Sequence, residues 1–250
     1  MQNYLIYIII FIYGILIGSF LNVCIYRIPR SENIITTRSH CMSCGYVLQW
    51  YDLFPVFSYL ILGGKCRKCG ERLSPQYPLV EFINGIFYVL VFYIHGLTIE
   101  SILFALLTSG LIVLSVIDFR TYEIPIGINI YILILGVLRV IFDYKHITDY
   151  ILGFISVSGF LLLLYILTKG RGIGGGDIKL MAVVGLLLGL KLTILAFLLG
   201  CILGSIIHVI RMKIKGADSV LAFGPYLSLG IFITILCGNQ IVSWYLDLLL

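Results

Sequence analysis

Long apolar blocks separated by short polar stretches make up most of this chain. They fall at 4–26, 78–95, 99–117, 126–142, 149–168, 178–190, 192–210 and 221–242. A helix that crosses a bilayer needs about 20 mostly apolar residues, because lipid offers no partner to a backbone N–H or C=O. The pattern therefore predicts an all-α polytopic membrane protein with about eight transmembrane helices. The blocks 178–190 and 192–210 are divided only at Lys191, and the first is short, so seven spans also fit the pattern.

The first block is too long for the apolar part of a signal peptide, and no basic residues precede it, so it is expected to be a retained helix. Its Gly14 and Gly18 lie four apart, a spacing that lets a neighbouring helix approach closely. One polar stretch, 27–77, interrupts the apolar blocks. The expected organisation is a first transmembrane helix (1–26), a soluble insert (27–77) and a membrane-embedded core (78–250).

Composition agrees with this picture. Hydrophobic residues make up 60% of the 250 and charged ones 12%, against roughly 25% charged in an average soluble domain. The net charge of +5 at first points to nucleic acid. With eight spans and the insert inside, however, every Lys and Arg except Arg139, Lys145 and Lys191 falls on the cytoplasmic side. The positive-inside rule accounts for the excess, and no nucleic-acid partner is expected.

The insert carries Cys41, Cys44, Cys66 and Cys69 as two CxxC pairs with 21 residues between them. Each pair can sit on a tight turn with both sulfurs on one side, and two such turns complete a tetrahedral thiolate site for zinc. Disulfides are disfavoured on the inferred reducing side, and no βαβ pattern supports a redox motif. Four thiolates leave no open coordination position, so the zinc is expected to be structural in a small zinc-ribbon-like module. Cys24, Cys201 and Cys237 stand singly in apolar blocks, as small buried hydrophobes do.

Only 12 Asp and Glu are present, which draws notice to those near the bilayer. Asp118 ends the third block in SVIDFRTYEIP, and Asp177 opens the sixth in GRGIGGGDIKL. Taken alone, Asp118 reads as a solvated helix end and Asp177 as an N-cap. The topology places both at the cytoplasmic face at one depth. Two carboxylates brought close there share a proton, so that one can act as general base on water and the other as general acid, the chemistry of an aspartic protease.

Gly174, Gly175 and Gly176, without Cβ atoms, would let a substrate backbone lie against the loop. A phosphate cradle is excluded, because the loop lacks GxxxxGK[ST], follows a membrane helix and ends on an anion. Glu81 and Glu123 are weaker candidates, read as interface residues, and His95 and His208 lack metal-ligand spacing.

These residues resemble the bacterial type IV prepilin peptidases, within the GxGD aspartyl proteases. The similarity covers nearly the whole chain: GSFLNVCIYRIP (18–29), the cysteine-bearing segment 39–70, PLVEFING (78–85), GGGDIKLMAVVG (174–185) and FGPYLSLG (223–230). Asp118 and Pro125 repeat the family's Asp-to-Pro spacing. The chain departs from the family in CMSC at the first cysteine pair, where many members have a proline. It departs also in Gln76, where Arg is common, and in Ile126, where Asp is common.

The resemblance implies Asp118 and Asp177 as the catalytic pair, and prepilins or pseudopilins as substrates, cut after a glycine at the face of the bacterial cytoplasmic membrane. It also implies methylation of the new N-terminus from S-adenosylmethionine, for which no Rossmann-type fingerprint is present. Archaeal preflagellin peptidases and signal peptide peptidase relatives fit less well because of the long cysteine loop. A transporter would call for charges at mid-membrane in broken helices and for inverted repeats, and neither is found.

Overall fold

A computed structural model describes residues 2–215 and 221–249. Nine α-helices follow in order among the described residues: α1 (Gln2–Arg27), α2 (Phe57–Ile61), α3 (Gln76–His95), α4 (Ile99–Thr121), α5 (Ile126–Phe142), α6 (Ile147–Leu167), α7 (Gly175–Leu188), α8 (Leu190–Lys215) and α9 (Gly224–Leu249). No strand occurs among them, only isolated bridges between His40 and Val47 and between Lys65 and Arg72.

Apart from the short α2, each helix coincides with one of the apolar blocks. Six of them, α1, α3, α4, α6, α8 and α9, are long and apolar enough to cross a bilayer. At 14 residues α7 extends about 21 Å, short of the roughly 30 Å hydrocarbon core. The boundary between α7 and α8 falls at Gly189, with φ +80°, and not at Lys191. The Asp149 carboxylate lies where a Gly189 Cβ would be, and its Oδ1 accepts the Leu190 N–H at 3.4 Å.

Large apolar side chains point outward along the helices, Ile8, Ile12 and Leu16 on α1 and Ile151, Ile155 and Leu162 on α6 among them. Continuous apolar surface of this kind is stable only against lipid, so the chain is a multi-pass membrane protein.

The chain forms two compact units, Met1–Val113 and Leu114–Leu250, which divide within α4. In the first, α1 packs on α3 through the predicted glycine pair. A Cβ on Gly14 would lie 2.7 Å from Gly85 Cα, and one on Gly18 would lie 2.6 Å from Glu81 Cα. Polar side chains reinforce the contact: Asn84 donates to the Gly14 carbonyl at 2.7 Å, and Ser109 donates to Asn84 at 2.9 Å. With no water to compete, small residues and buried hydrogen bonds hold membrane helices together.

In the second unit α7 packs on α5 and α6, and α8 on α9. The closest approach is between Gly153 on α6 and Gly185 on α7, where a Cβ on either would overlap the other's carbonyl oxygen. Gly185→Val is expected to cost at least the roughly 1–3 kcal/mol typical of overpacking, because backbone and not a flexible side chain must move. Thermal unfolding in detergent should show a clearly lowered midpoint; an unchanged midpoint would contradict the packing described.

Candidate functional site

Asp118 lies in the last turn of α4, and its backbone carbonyl accepts the Tyr122 N–H at 2.8 Å, which closes the helix. Tyr122 takes a left-handed conformation (φ +57°), and the chain reverses within four residues to Pro125. Pro125 is the N-cap of α5, so the Asp-to-Pro spacing corresponds to one tight helix-to-helix turn.

The Asp118 side chain turns inward and is 4% exposed. Its Oδ2 accepts the Gly224 N–H, the first of α9, at 2.9 Å. A Cβ at Gly224 would lie 2.8 Å from that oxygen, so only glycine permits the contact. The orphan N–H groups and positive dipole end of a helix favour an anion at this position. FGPYLSLG thus has a structural role that its sequence did not disclose.

Asp177 is not the N-cap of α7. Gly174 holds that position, and Asp177, three residues on, turns its carboxylate back against Gly174, where a Cβ would come within 2.9 Å of Oδ2. By itself this is the reach of an N3 acid in a capping box. The additional feature is that Asp118, from a different helix, is near enough to act electrostatically on Asp177. Two helix ends therefore place two carboxylates within electrostatic range of each other, with no cation paired to either among the described residues.

The three loop glycines differ in their surroundings. A Cβ at Gly174 would crowd Asp177 and one at Gly176 would lie 2.9 Å from Ile124, whereas at Gly175 nothing stands within 4 Å. Glu123 is exposed, while His95 packs edge-on against Phe104. Glu81 is not an exposed interface residue: it is buried, and its Oε2 accepts the Val56 N–H at 2.7 Å.

Cys41, Cys44, Cys66 and Cys69 converge so that their four sulfurs lie within 4.8 Å of one another. Two of the separations are 3.8 Å (Cys41 to Cys69) and 4.0 Å (Cys44 to Cys66). A tetrahedron with metal–sulfur bonds of about 2.3 Å has edges of about 3.8 Å, so the cluster fits a four-coordinate metal ion. None of the seven cysteines is in a disulfide. The N–H groups of Cys69 and then Lys68 pull the Cys66 thiol down, while, against the Glu71 N–H, burial and the neighbouring sulfurs push the Cys69 thiol up, as expected where clustered thiols share protons with one another.

The module is a pseudo-repeat that the spacing argument overlooked. CMSCGYVL (41–48) and CRKCGERL (66–73) are offset by 25 residues, and each builds the same turn. Gly45 and Gly70 donate to the carbonyls of Cys41 and Cys66, and the N–H groups of Cys41 and Cys66 return to Tyr46 and Glu71. Both glycines have φ near +70° (+68° and +73°), which a side chain would strain.

Asp52, also unforeseen, joins the halves. It accepts Arg67 Nε at 2.7 Å and the Tyr46 hydroxyl at 3.1 Å. Burial opposes its charge, but the bonds from Arg67, the Gln49 N–H and Tyr46 prevail and hold its carboxyl below the usual range.

Comparison with known proteins supplies the family. The model for the bacterial peptidase A24 N-terminal domain matches residues 12–95, and that for the type IV leader peptidase family matches 105–209. A Bacillus subtilis protein named prepilin leader peptidase/N-methyltransferase is 33% identical, covering 97% of this chain and 98% of its own length. The chain belongs to the type IV leader peptidase family. A Pseudomonas aeruginosa member of the same name is 31% identical over 94% of this chain and 91% of its own, and one from Aeromonas hydrophila is 30% identical over 95% and 93%. No solved structure matches. Both family segments contain a cluster described above: the first the four cysteines, the second Asp118 and Asp177.

Proposed function

We propose that this protein is an aspartic endopeptidase that removes the leader from type IV prepilins and pilin-like proteins at the cytoplasmic face of a bacterial cytoplasmic membrane, and then methylates the new N-terminus. The observation that carries this reading is the meeting of Asp118 and Asp177 from separate helix ends in a chain of the leader peptidase family. In this reading one carboxylate takes a proton from the attacking water while the other protonates the leaving amine. The Gly224 N–H holds Asp118 by one oxygen, and Gly175 offers open backbone to the extended substrate segment. The four cysteines hold a structural zinc, which keeps the insert folded and leaves no coordination site for substrate. S-adenosylmethionine would supply the methyl group.

The direct test is incubation of the purified protein with one prepilin and S-adenosylmethionine. The expected product is shortened by its leader and one methyl group heavier; an uncleaved prepilin would overturn the proposal. The cytoplasmic assignment has its own check. Single engineered cysteines beside the 27–77 insert, Asp118 and Asp177, in an otherwise cysteine-labelling-silent background, should all label from the same side of sealed vesicles. Opposite sidedness of the two aspartates would rule out a shared site.

A further inference from the structure

The segment between the two cysteine turns leaves an apolar stripe uncovered. Trp50, Phe54, Phe57, Leu60 and Ile61 recur at the three-and-four spacing of one helical face, and their exposures run from 56% to 81%. Asp52 and Pro55, between them in sequence, turn inward and are buried. The stripe is built from a 3-10 turn (Trp50–Leu53) followed by α2.

The two turns meet at Val56, whose φ of +62° is unfavourable for a β-branched residue. Such a conformation persists only where its surroundings impose it. Here the Val56 N–H is donated to Glu81 Oε2 at 2.7 Å, which ties the bend to α3. The bond also sets its depth. Glu81 lies in the second turn of α3, about 7.5 Å along the axis from Gln76 at 1.5 Å per residue. On α1 the facing residue is Gly18, well before the end of that helix at Arg27. The bend therefore sits beside the helix pair and not beyond its ends, at the level where Leu79 and Phe82 of α3 are exposed to lipid.

We propose that residues 50–61 form an interfacial anchor: they lie in the plane of the bilayer surface with the five apolar side chains at the boundary between headgroups and acyl chains, so that the cysteine module rests on the membrane. The proposal requires only that α1 and α3 cross the bilayer and does not depend on the proposed function. A short amphipathic segment binds a membrane in this way, and Trp is enriched at that depth. Charge agrees, since Lys and Arg outnumber Asp and Glu by seven to three across 27–77, which suits anionic headgroups. The apolar helix of a passing substrate would cover the stripe only while bound, whereas an exposed apolar patch of this extent needs standing cover.

The test uses Trp50 as a depth probe in a Trp244→Phe background, where it is the only tryptophan. The full chain is placed in nanodiscs of phosphatidylcholine and phosphatidylglycerol brominated at the upper acyl carbons. Trp50 should lose about half or more of its emission relative to unbrominated discs, because an interfacial face lies about 5–10 Å into the headgroup and acyl boundary. Aqueous iodide should quench it only weakly. Ile61→Trp with Trp50→Phe, in the same background, moves the probe to the other end of the stripe and should behave alike. Phe57→Asp with Leu60→Asp should lift the Trp50 probe off the bilayer, with bromine quenching lost and iodide quenching gained. Wild-type circular dichroism and monodisperse elution show that this variant is folded; if it is not, the two single-tryptophan proteins decide the question. Strong iodide quenching without bromine quenching at either position would overturn the anchor. Protection from iodide that appears only when an apolar helical peptide is added would assign the stripe to a substrate and overturn it equally.

Discussion

Asp118→Asn and Asp177→Asn are each expected to abolish leader cleavage while the protein still inserts and keeps its metal. A positioned acid or base contributes roughly 10²–10⁴-fold, and an amide can serve as neither. The double variant should be scarcely worse than either single one, because groups that act as a unit are strongly non-additive. Rate against pH should be bell-shaped, with two apparent values that belong to the pair. The alkaline limb reports loss of the shared proton, and the acid limb reports uptake of a second proton by the remaining carboxylate. Methyl transfer onto an already cleaved substrate should persist in both variants, since it needs no activated water. Near-normal cleavage by Asp177→Asn would reduce that residue to its capping contact with Gly174, and the same result for Asp118 would leave it as a partner for the end of α9.

Asp118 and Asp177 could be singled out from sequence because membrane helices make an isolated carboxylate conspicuous and the expected topology assigns both to one face. How each is held was not legible. The bond from Gly224 joins residues 106 positions apart, and no local pattern announces a helix start that meets an aspartate from another helix. Likewise, Asp177 reads as an N-cap from its position after glycines, whereas the geometry gives that place to Gly174.

Each apolar block corresponds to a helix, although α4, α8 and α9 run four, five and seven residues past the ends of their blocks, and the boundary between α7 and α8 is shifted. There Lys191 drew the eye, although a left-handed glycine ends the helix two residues earlier. Glu81 looked like an interface residue for a related reason: hydropathy locates it at a helix start but does not reveal that Gly18 of α1 closes over it.

The cysteine module provides the second large expected effect. Protein purified without chelator should contain about one zinc per chain, and Cys41→Ser or Cys66→Ser should lose it together with the fold of the insert. A structural zinc supplies much of the folding free energy of so small a module. Unchanged metal content and stability in both variants would refute the assignment. Asp52→Asn offers a finer test that leaves all four thiols intact. It removes a charged acceptor from Arg67 and Tyr46, so it should cost about 1–3 kcal/mol and speed zinc release to a chelator. Because the folded-state carboxyl is held below its usual range, the stability it contributes is complete above the ordinary carboxylate pKa and is lost as pH falls through the lowered value. The gap between wild type and Asp52→Asn should therefore be constant near neutrality and close only in acid. A gap that vanished at neutral pH instead would mean that Asp52 does not join the two halves of the module.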